Sequence, residues 1–402
     1  MINFMDEGAP QPFKARKVLF FIHAAEHGGA EMSLLDLLGR INRERFEPSV
    51  LCLCEGPLLD EVRRLGVEAR VLDVAEDFVR TEREGLFSLR RAPYLGVKCV
   101  QAAAAAGLVA RHAIDGGHEL IYTNSLKAHV IGVLAGREAR LPVVWHFRDA
   151  LFWFPERVMV KALQAAFRPV VIANSKTTAS FLVRSRRVRV IYNGIDPESV
   201  RAARDAGEVR EELGIPGDAV VIGMAGRVQR WKGHEVFLKA AGMLVKDFEN
   251  VYFVIAGSPI YGDGGFPERL EISAREAKIA RRVVFTGFRK DIYDVMQAYD
   301  VYVHPTVKEE PFGRGIIEAM ALGKPVVASR LGGPSEIVLD DCTGLLVAPG
   351  SSVELARAIG RLVIDRTTAA QFGENGRKRV LTQFSMKNHV DGVESALDEV
   401  LR

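Results

Sequence analysis

A chain of 402 residues exceeds what one ordinary hydrophobic core supports and points to two domains, or three. Its 48% apolar and 26% charged residues are those of a soluble globular protein, and a net charge of only +3 argues against a general nucleic-acid binder. Cys52, Cys54, Cys99 and Cys342 fall in no CxxC or His–Cys spacing, which argues against a disulfide framework or zinc site and for a reduced, cytosolic setting; no apolar run reaches membrane-span length.

The first dozen residues, with two prolines and mixed polarity, read as a loose leader without the apolar region of a signal peptide. Lys17 to Ala24 is a continuous apolar run, the mark of a strand buried on both faces. The loop after it carries Gly28 and Gly29, flanked by His23 and His27, and opens a helix with apolar residues Met32, Leu34, Leu35, Leu37, Leu38 and Ile41. Paired glycines at a strand's carboxyl end let a ligand approach the backbone, but this is not the GxGxxG of a dinucleotide site. Further strands are predicted at Ser49 to Leu53, Ala69 to Leu72, Leu120 to Tyr122, Val143 to His146, Val170 to Ala173 and Val188 to Ile191, with helices between. Asn124, Ser125, Lys127 and His129 follow one of these strands, and His146 ends another. A strand-end histidine is placed either to bond a sugar hydroxyl or to serve as a satisfied structural residue.

Between Arg148 and Arg189 nine basic residues stand against two acidic ones, with Phe152, Trp153, Phe154 and Phe167 beside Arg157, Lys161 and Arg168. Residues 1–195 carry a net charge of +6 and residues 196–402 a net charge of −3. Such a basic, aromatic helix fits two readings: docking on anionic lipid at the inner face of a membrane, or a solvated face around a core helix.

The pattern restarts after Asn193 to Asp196. A connector with one helix leads to a strand at Ala219 to Gly226, and further strands are predicted at Val251 to Ala256, Val283 to Thr286, Val301 to His304 and Pro325 to Ala328. Two doubly wound α/β halves of this kind leave a cleft, a favoured ligand site. Arg227 and Lys232 lie just past the first strand of the second half, where a guanidinium binds phosphate as a fork and an ammonium as a point charge; a solvated basic loop is the plainer reading. Gly287, Phe288 and Arg289 follow another strand, where backbone groups are placed to read the edge of a base, though a plain strand-to-helix turn looks the same.

The stretch from Val301 to Ser329 carries the sharpest chemistry. Gly313 and Gly315 open a helix that ends near Leu322, with Gly323 where a left-handed cap belongs and Pro325 beyond it. The N–H groups of Gly313 to Ile317 are expected to lack helical partners and to face an anion at the positive end of the dipole. Glu310 and Glu318 flank that start, and carboxylates there repel phosphate but accept hydrogen bonds from sugar hydroxyls. A nucleotide sugar, with phosphates in the middle and hydroxylated rings at both ends, fits that pattern. Two solvated glutamates at a helix end would read the same way.

Taken together, Gly28–Gly29, His146, Arg227 with Lys232, Glu310-x-Phe312-Gly313 with Glu318, and the segment Asp340 to Gly350 resemble the retaining glycosyltransferases of family four. The resemblance runs from about Lys17 and is strongest from Gly223 to Gly350. It implies the GT-B fold: two Rossmann-like doubly wound parallel-sheet domains facing a cleft. An acceptor-side domain would span residues 1–195, with a C-terminal helix at about 385–402 packing back on it, and a donor-binding domain would span 196–384.

By the same resemblance Arg227 and Lys232 hold the donor diphosphate and Glu318 the ribose. Glu310, with the backbone of Phe312, Gly313, Arg314 and Gly315, meets the transferred sugar, and Ile316 is counted with the donor-binding residues. His146 lies near the reacting sugar, and Gly28 and Gly29 contact donor phosphate or acceptor. The reacting centre is thereby assigned to His146, Arg227, Lys232 and Glu310. No DxD follows a strand, so no metal or other cofactor is expected, and fixed cations stabilise the leaving diphosphate. The partners implied are a nucleotide sugar and a hydroxyl acceptor, lipid-linked if the basic stretch meets membrane. Another GT-B enzyme, an epimerase or phosphorylase, and a catalytically silent sugar-binding subunit are the alternatives.

Overall fold

The computed structural model describes residues 14–25, 28–79, 92–259 and 265–402. The expected leader, His27 of the first glycine loop, and residues 80–91 lie outside the described residues.

Two parallel sheets organise the chain. The first contains β1 (Arg16–Ile22), β2 (Phe46–Cys52), β3 (Glu68–Val71), β4 (Leu120–Thr123), β5 (Val143–Phe147), β6 (Val170–Ala173) and β7 (Val188–Val190), in the order β3-β2-β1-β4-β5-β6-β7. The second contains β8 (Val220–Ala225), β9 (Val251–Ala256), β10 (Val283–Gly287), β11 (Val301–His304), β12 (Val326–Ser329) and β13 (Gly344–Val347), in the order β10-β9-β8-β11-β12-β13. The apolar runs behave as helix-covered parallel strands should: Val18 to Ile22, Tyr122, Val144, Val221, Phe253 and Val301 to Val303 are all buried.

Most strands match the predicted runs to within a residue or two. β2 starts earlier, at Phe46, because Arg16 and Phe46 are in register and the pairing with β1 carries through Pro48. β13 was not anticipated. Four residues opened by a glycine are too short a run to stand out, and it is the ladder with β12, from Val326↔Gly344 to Ser329↔Val347, that makes them a strand.

Contacts divide the chain into two compact units: the described part of Met1–Phe147 with Trp153–Ile172 and Val393–Arg402, and Arg148–Phe152 with Ala173–Gly392. The last helix, Met386–Leu401, belongs to both. At its start Met386 N–H donates to the Ile195 carbonyl (2.9 Å), within the second unit. Further along, Glu394 accepts from Asn42 N–H (2.8 Å) and Arg45, and Arg16 donates to the Leu401 carbonyl (3.0 Å), within the first.

Each sheet reverses its winding at its first strand, between β1 and β4 and between β8 and β11. The loops leaving β8 and β11 therefore emerge side by side at the carboxyl ends of adjacent strands, the position where open α/β sheets bind ligands.

Candidate functional site

The segment after β8 reaches the 3₁₀ turn Arg230–Lys232 and then Gly233, whose φ of +82° suits glycine. A Cβ on Gly233 would sit 1.9 Å from the Pro305 carbonyl oxygen, so this turn lies directly on the loop that leaves β11. The Trp231 carbonyl accepts from Val307 N–H (2.8 Å) and the Thr306 hydroxyl (3.0 Å), stitching the two loops together.

That junction sets Lys232 Nζ 2.5 Å from Glu310 Oε2, to which it donates, and His304 Nε2 3.4 Å from the same oxygen. Glu310 is only 8% exposed and is no solvated helix-end residue. Burial pushes its carboxyl up, but the Lys232 ammonium and the His304 contact outweigh it and hold the group at about 2. Burial likewise depresses His304, against the pull of Glu310. The Tyr302 hydroxyl, 3.5 Å from His304 Nδ1, donates to the Ala225 carbonyl at 3.3 Å.

Beyond Glu310 the chain turns into the helix Arg314–Ala321. Gly333 N–H donates to the Glu310 carbonyl (2.8 Å), and the Ser175 hydroxyl donates to the Pro311 carbonyl (2.5 Å). Gly332 and Gly333 press on this loop so closely that a Cβ on either would meet Glu310 or Phe312 backbone at 2.5 or 2.3 Å. Phe312 is buried against Tyr192 and Phe384, with ring centroids 6.2 and 5.9 Å away, so its side chain is committed to packing. The Glu336 carboxylate braces Tyr192 by accepting from its hydroxyl (3.0 Å) and from the N–H groups of Lys176 and Thr177 (2.8 Å each).

Gly313 caps the helix at φ +103°, as a glycine can. Ile316 N–H donates to the Gly313 carbonyl (2.9 Å), which corrects the expectation that every amide from Gly313 to Ile317 lacks a helical partner. The expectation is thereby left with the amides before Ile316. Glu318 accepts from Arg314 Nε (2.8 Å) and the Tyr293 hydroxyl (3.4 Å), so it too is partnered rather than solvated.

The helix start and the end of β8 touch: the Cβ position of Gly315 is 2.3 Å from the Tyr302 hydroxyl and 3.6 Å from the Ala225 carbonyl oxygen. Arg227, two residues beyond Ala225, is exposed there. Lys232, Glu310 and the start of the helix bearing Glu318 thus belong to one junction, and Arg227 follows in the chain two residues after its Ala225 edge.

Gly287 has φ +67° and its carbonyl accepts from Gly257 N–H (2.9 Å), while Phe288 is exposed. The Arg289 side chain is committed to Asp291, at 2.7 and 2.5 Å, and to Glu212 at 2.5 Å.

In the first unit His146 is fully buried and its Nδ1 is bonded to the Tyr122 hydroxyl from the neighbouring strand β4. His23 Nδ1 lies 2.6 Å from the Ser125 hydroxyl. The other residues that follow β4 have structural partners: Asn124 donates to the Ala30 carbonyl (3.1 Å), Lys127 to the Phe78 and Val79 carbonyls (2.9 and 2.7 Å), and His129 stacks on Trp145 and Phe147. Gly28 caps the helix Gly29–Leu38, and a Cβ on Gly29 would meet nothing within 4 Å.

His304, Tyr302 and the pair Gly332–Gly333 were missed from sequence. The signals were present: the period of two puts Tyr302 and His304 on one face of a strand that ends in histidine, and a glycine pair before Pro334 repeats the mark of Gly28–Gly29.

Comparison with known proteins adds the following. The family model described as glycosyl transferases group 1 matches residues 205–379, and that of Glycosyltransferase Family 4 matches residues 27–199. The structure of Anabaena HepE in complex with UDP and glucose is 28% identical, with a TM-score of 0.81 over 95% of this chain and 99% of that one. The D-inositol 3-phosphate glycosyltransferase of Corynebacterium urealyticum is 37% identical over 217 residues, 51% of this chain and 50% of the relative. The lipopolysaccharide core biosynthesis mannosyltransferase LpsB of Rhizobium meliloti is 29% identical over 234 residues, 58% and 66% of the two chains. The chain thus spans about half to two thirds of the length of these two curated relatives.

Proposed function

Because this chain belongs to family four of the glycosyltransferases, with the two parallel-sheet α/β domains of the GT-B fold, we propose that it moves a hexose from a nucleoside-diphosphate sugar to an acceptor hydroxyl with retention at the anomeric carbon. The observation that carries this reading is the junction at which Lys232, Glu310 and the start of the helix Arg314–Ala321 meet the end of β8. It offers a fixed cation and a helix start to a diphosphate, and a buried ionised carboxylate to the hydroxyls of the attached sugar.

In the proposed reaction the bond between the anomeric carbon and the diphosphate oxygen breaks, and the acceptor oxygen bonds to that carbon on the same face. The acceptor's proton passes to the departing phosphate, so no protein nucleophile is needed. Arg227, Lys232 and the amides before Ile316 stabilise the charge growing on the leaving group, without a bound metal. Glu318, held by Arg314, receives the ribose hydroxyls; the backbone at Gly287 to Arg289 borders the base; His146, with Gly28 and Gly29, serves the reacting sugar and the acceptor. The UDP and glucose in the HepE structure make UDP-glucose the first donor to try, and the lipopolysaccharide relative supports an acceptor in envelope or other glycoconjugate synthesis.

A thermal-shift series with UDP-, GDP- and ADP-sugars tests the donor reading. A donor at about a hundredfold excess over its Kd adds ~2.7 kcal/mol to the native state and must raise Tm. Release of nucleoside diphosphate from the stabilising donor, faster with acceptor than with water, then separates a transferase from a silent binding subunit. If none of these donors moved Tm, the reading would fall.

A further inference from the structure

His304 is a buried titratable group for which the reaction above has no use. Glu310 Oε2 lies 3.4 Å from its Nε2, and the Tyr302 hydroxyl lies 3.5 Å from its Nδ1 and 3.3 Å from the Ala225 carbonyl. A doubly protonated ring satisfies this chain of groups completely. One N–H faces Glu310, the other faces the Tyr302 oxygen, and the Tyr302 proton remains for Ala225. A neutral ring cannot do so: with its proton toward Glu310, its Nδ1 lone pair competes with Ala225 for the Tyr302 proton.

What keeps the ring neutral is the company it has in the free protein. Lys232 Nζ, 2.5 Å from the same Glu310 oxygen, already balances that carboxylate. Burial and Lys232 both hold the His304 imidazole below its ordinary value. The charged and titratable groups around it are few: Glu310 on the following loop, Lys232 on the turn after β8, Tyr302 on its own strand, and His234 on the helix His234–Asp247, which burial keeps neutral near 4. On β12 its register partner is Ala328, which carries no charge.

A diphosphate that recruits Lys232 changes that balance, because it withdraws an ammonium bonded to a buried carboxylate. Protonating an imidazole near neutral pH costs far less than leaving such a carboxylate unpaired. We propose that His304 is the charge-balancing partner of Glu310: as a nucleoside-diphosphate sugar draws the Lys232 ammonium onto its phosphates, His304 takes up a proton and keeps Glu310 ionised and in place. His304 is thus a positioning residue that couples donor binding to proton uptake. The inference rests on the donor reading above.

Calorimetric titration with UDP-glucose, in two buffers of different ionisation enthalpy, measures the coupling directly; the diphosphate of this donor does not itself titrate near neutral pH. Wild type is expected to take up as much as one proton per donor bound, and its affinity to rise by up to about tenfold per pH unit as pH falls through the range where His304 titrates. His304→Gln, which keeps a donor toward Glu310 but cannot become a cation, is expected to bind without uptake and with pH-independent affinity. Glu310→Gln, which needs no balancing cation, is expected to behave likewise. Nitrogen NMR of labelled imidazoles in the wild type answers the same question without a variant: one buried ring passes to the doubly protonated form on donor addition, or none does. Equal heats in the two buffers, or uptake that persists in His304→Gln, would overturn the proposal and leave the donor reading standing. Should UDP-glucose fail to bind, the UDP-, GDP- and ADP-sugar that raises Tm takes its place; failure of them all removes both.

Discussion

Glu310 is where the opposing effects on a single residue are plainest. Burial favours its protonated form, and the adjacent ammonium favours the ionised one more strongly, so the carboxyl sits at about 2 against an ordinary 4.5. An acid whose folded value is depressed adds stability that is complete above the unfolded value and is lost as pH falls through the folded one. The contribution here is on the order of 3 kcal/mol above pH 4.5, and it drains away toward pH 2. Glu310→Gln is therefore expected to unfold at lower urea than wild type at neutral pH, with the gap closing in acid. Lys232→Met, which strands the buried carboxylate, is expected to cost roughly 3–5 kcal/mol, and the double variant less than the two single losses combined. Strict additivity in that cycle would mean that the pair does not interact.

Among the elements, the loop from Glu310 to Gly313 is held from outside rather than by its own propensity. Gly333 supports it with an N–H bond to Glu310, and a Cβ there would meet the Phe312 carbonyl oxygen and Cα at 2.3 and 2.4 Å. Gly333→Ala is expected to cost about 1–3 kcal/mol by overpacking, and to lower donor turnover more than a variant of equal stability elsewhere, because Glu310 moves with the loop. Gly29→Ala is the contrasting case. It meets nothing within 4 Å in a helix's first turn, so it is expected to leave Tm unchanged or slightly raised. A loss of donor affinity in that variant, read by titration, would mark a contact with ligand at Gly29. Unchanged affinity would remove Gly29 from the site.

At the scale of the whole molecule, charge and exposure can be weighed together. The helix Phe154–Phe167 and its cap leave Trp153, Phe154 and Val158 exposed by 53, 78 and 50%, in the stretch that also carries Arg157, Lys161 and Arg168. Among the described residues no helix is long and apolar enough to cross a membrane. If this stretch meets lipid, as one of its two readings has it, its aromatic side chains would lie at the head groups and its cations toward anionic lipid. Vesicles containing phosphatidylglycerol are expected to co-sediment the protein at low salt, less so at high salt and less so after Trp153→Ser with Phe154→Ser. Absence of binding at low salt would remove the membrane from this proposal.

Some features were decided by the sequence alone because they depend on neighbours along the chain. Continuous apolar runs such as Val301 to His304 made strands, and the stop of the helix Arg314–Ala321 was legible in Gly323, found at φ +72°. The types of residue at Lys232, Glu310 and Glu318 are those on which the expectation of phosphate and sugar chemistry rests. Only the tertiary structure decided that Lys232 and Glu310, 78 residues apart, would share a proton-bonding contact, that His304 would face the same oxygen, and that Gly332–Gly333 would brace the loop between them. The reason is the strand order: β8 lies beside β11 although β9 and β10 intervene in the chain, and adjacency of that kind is set by how whole sheets wind and pack rather than by any local pattern.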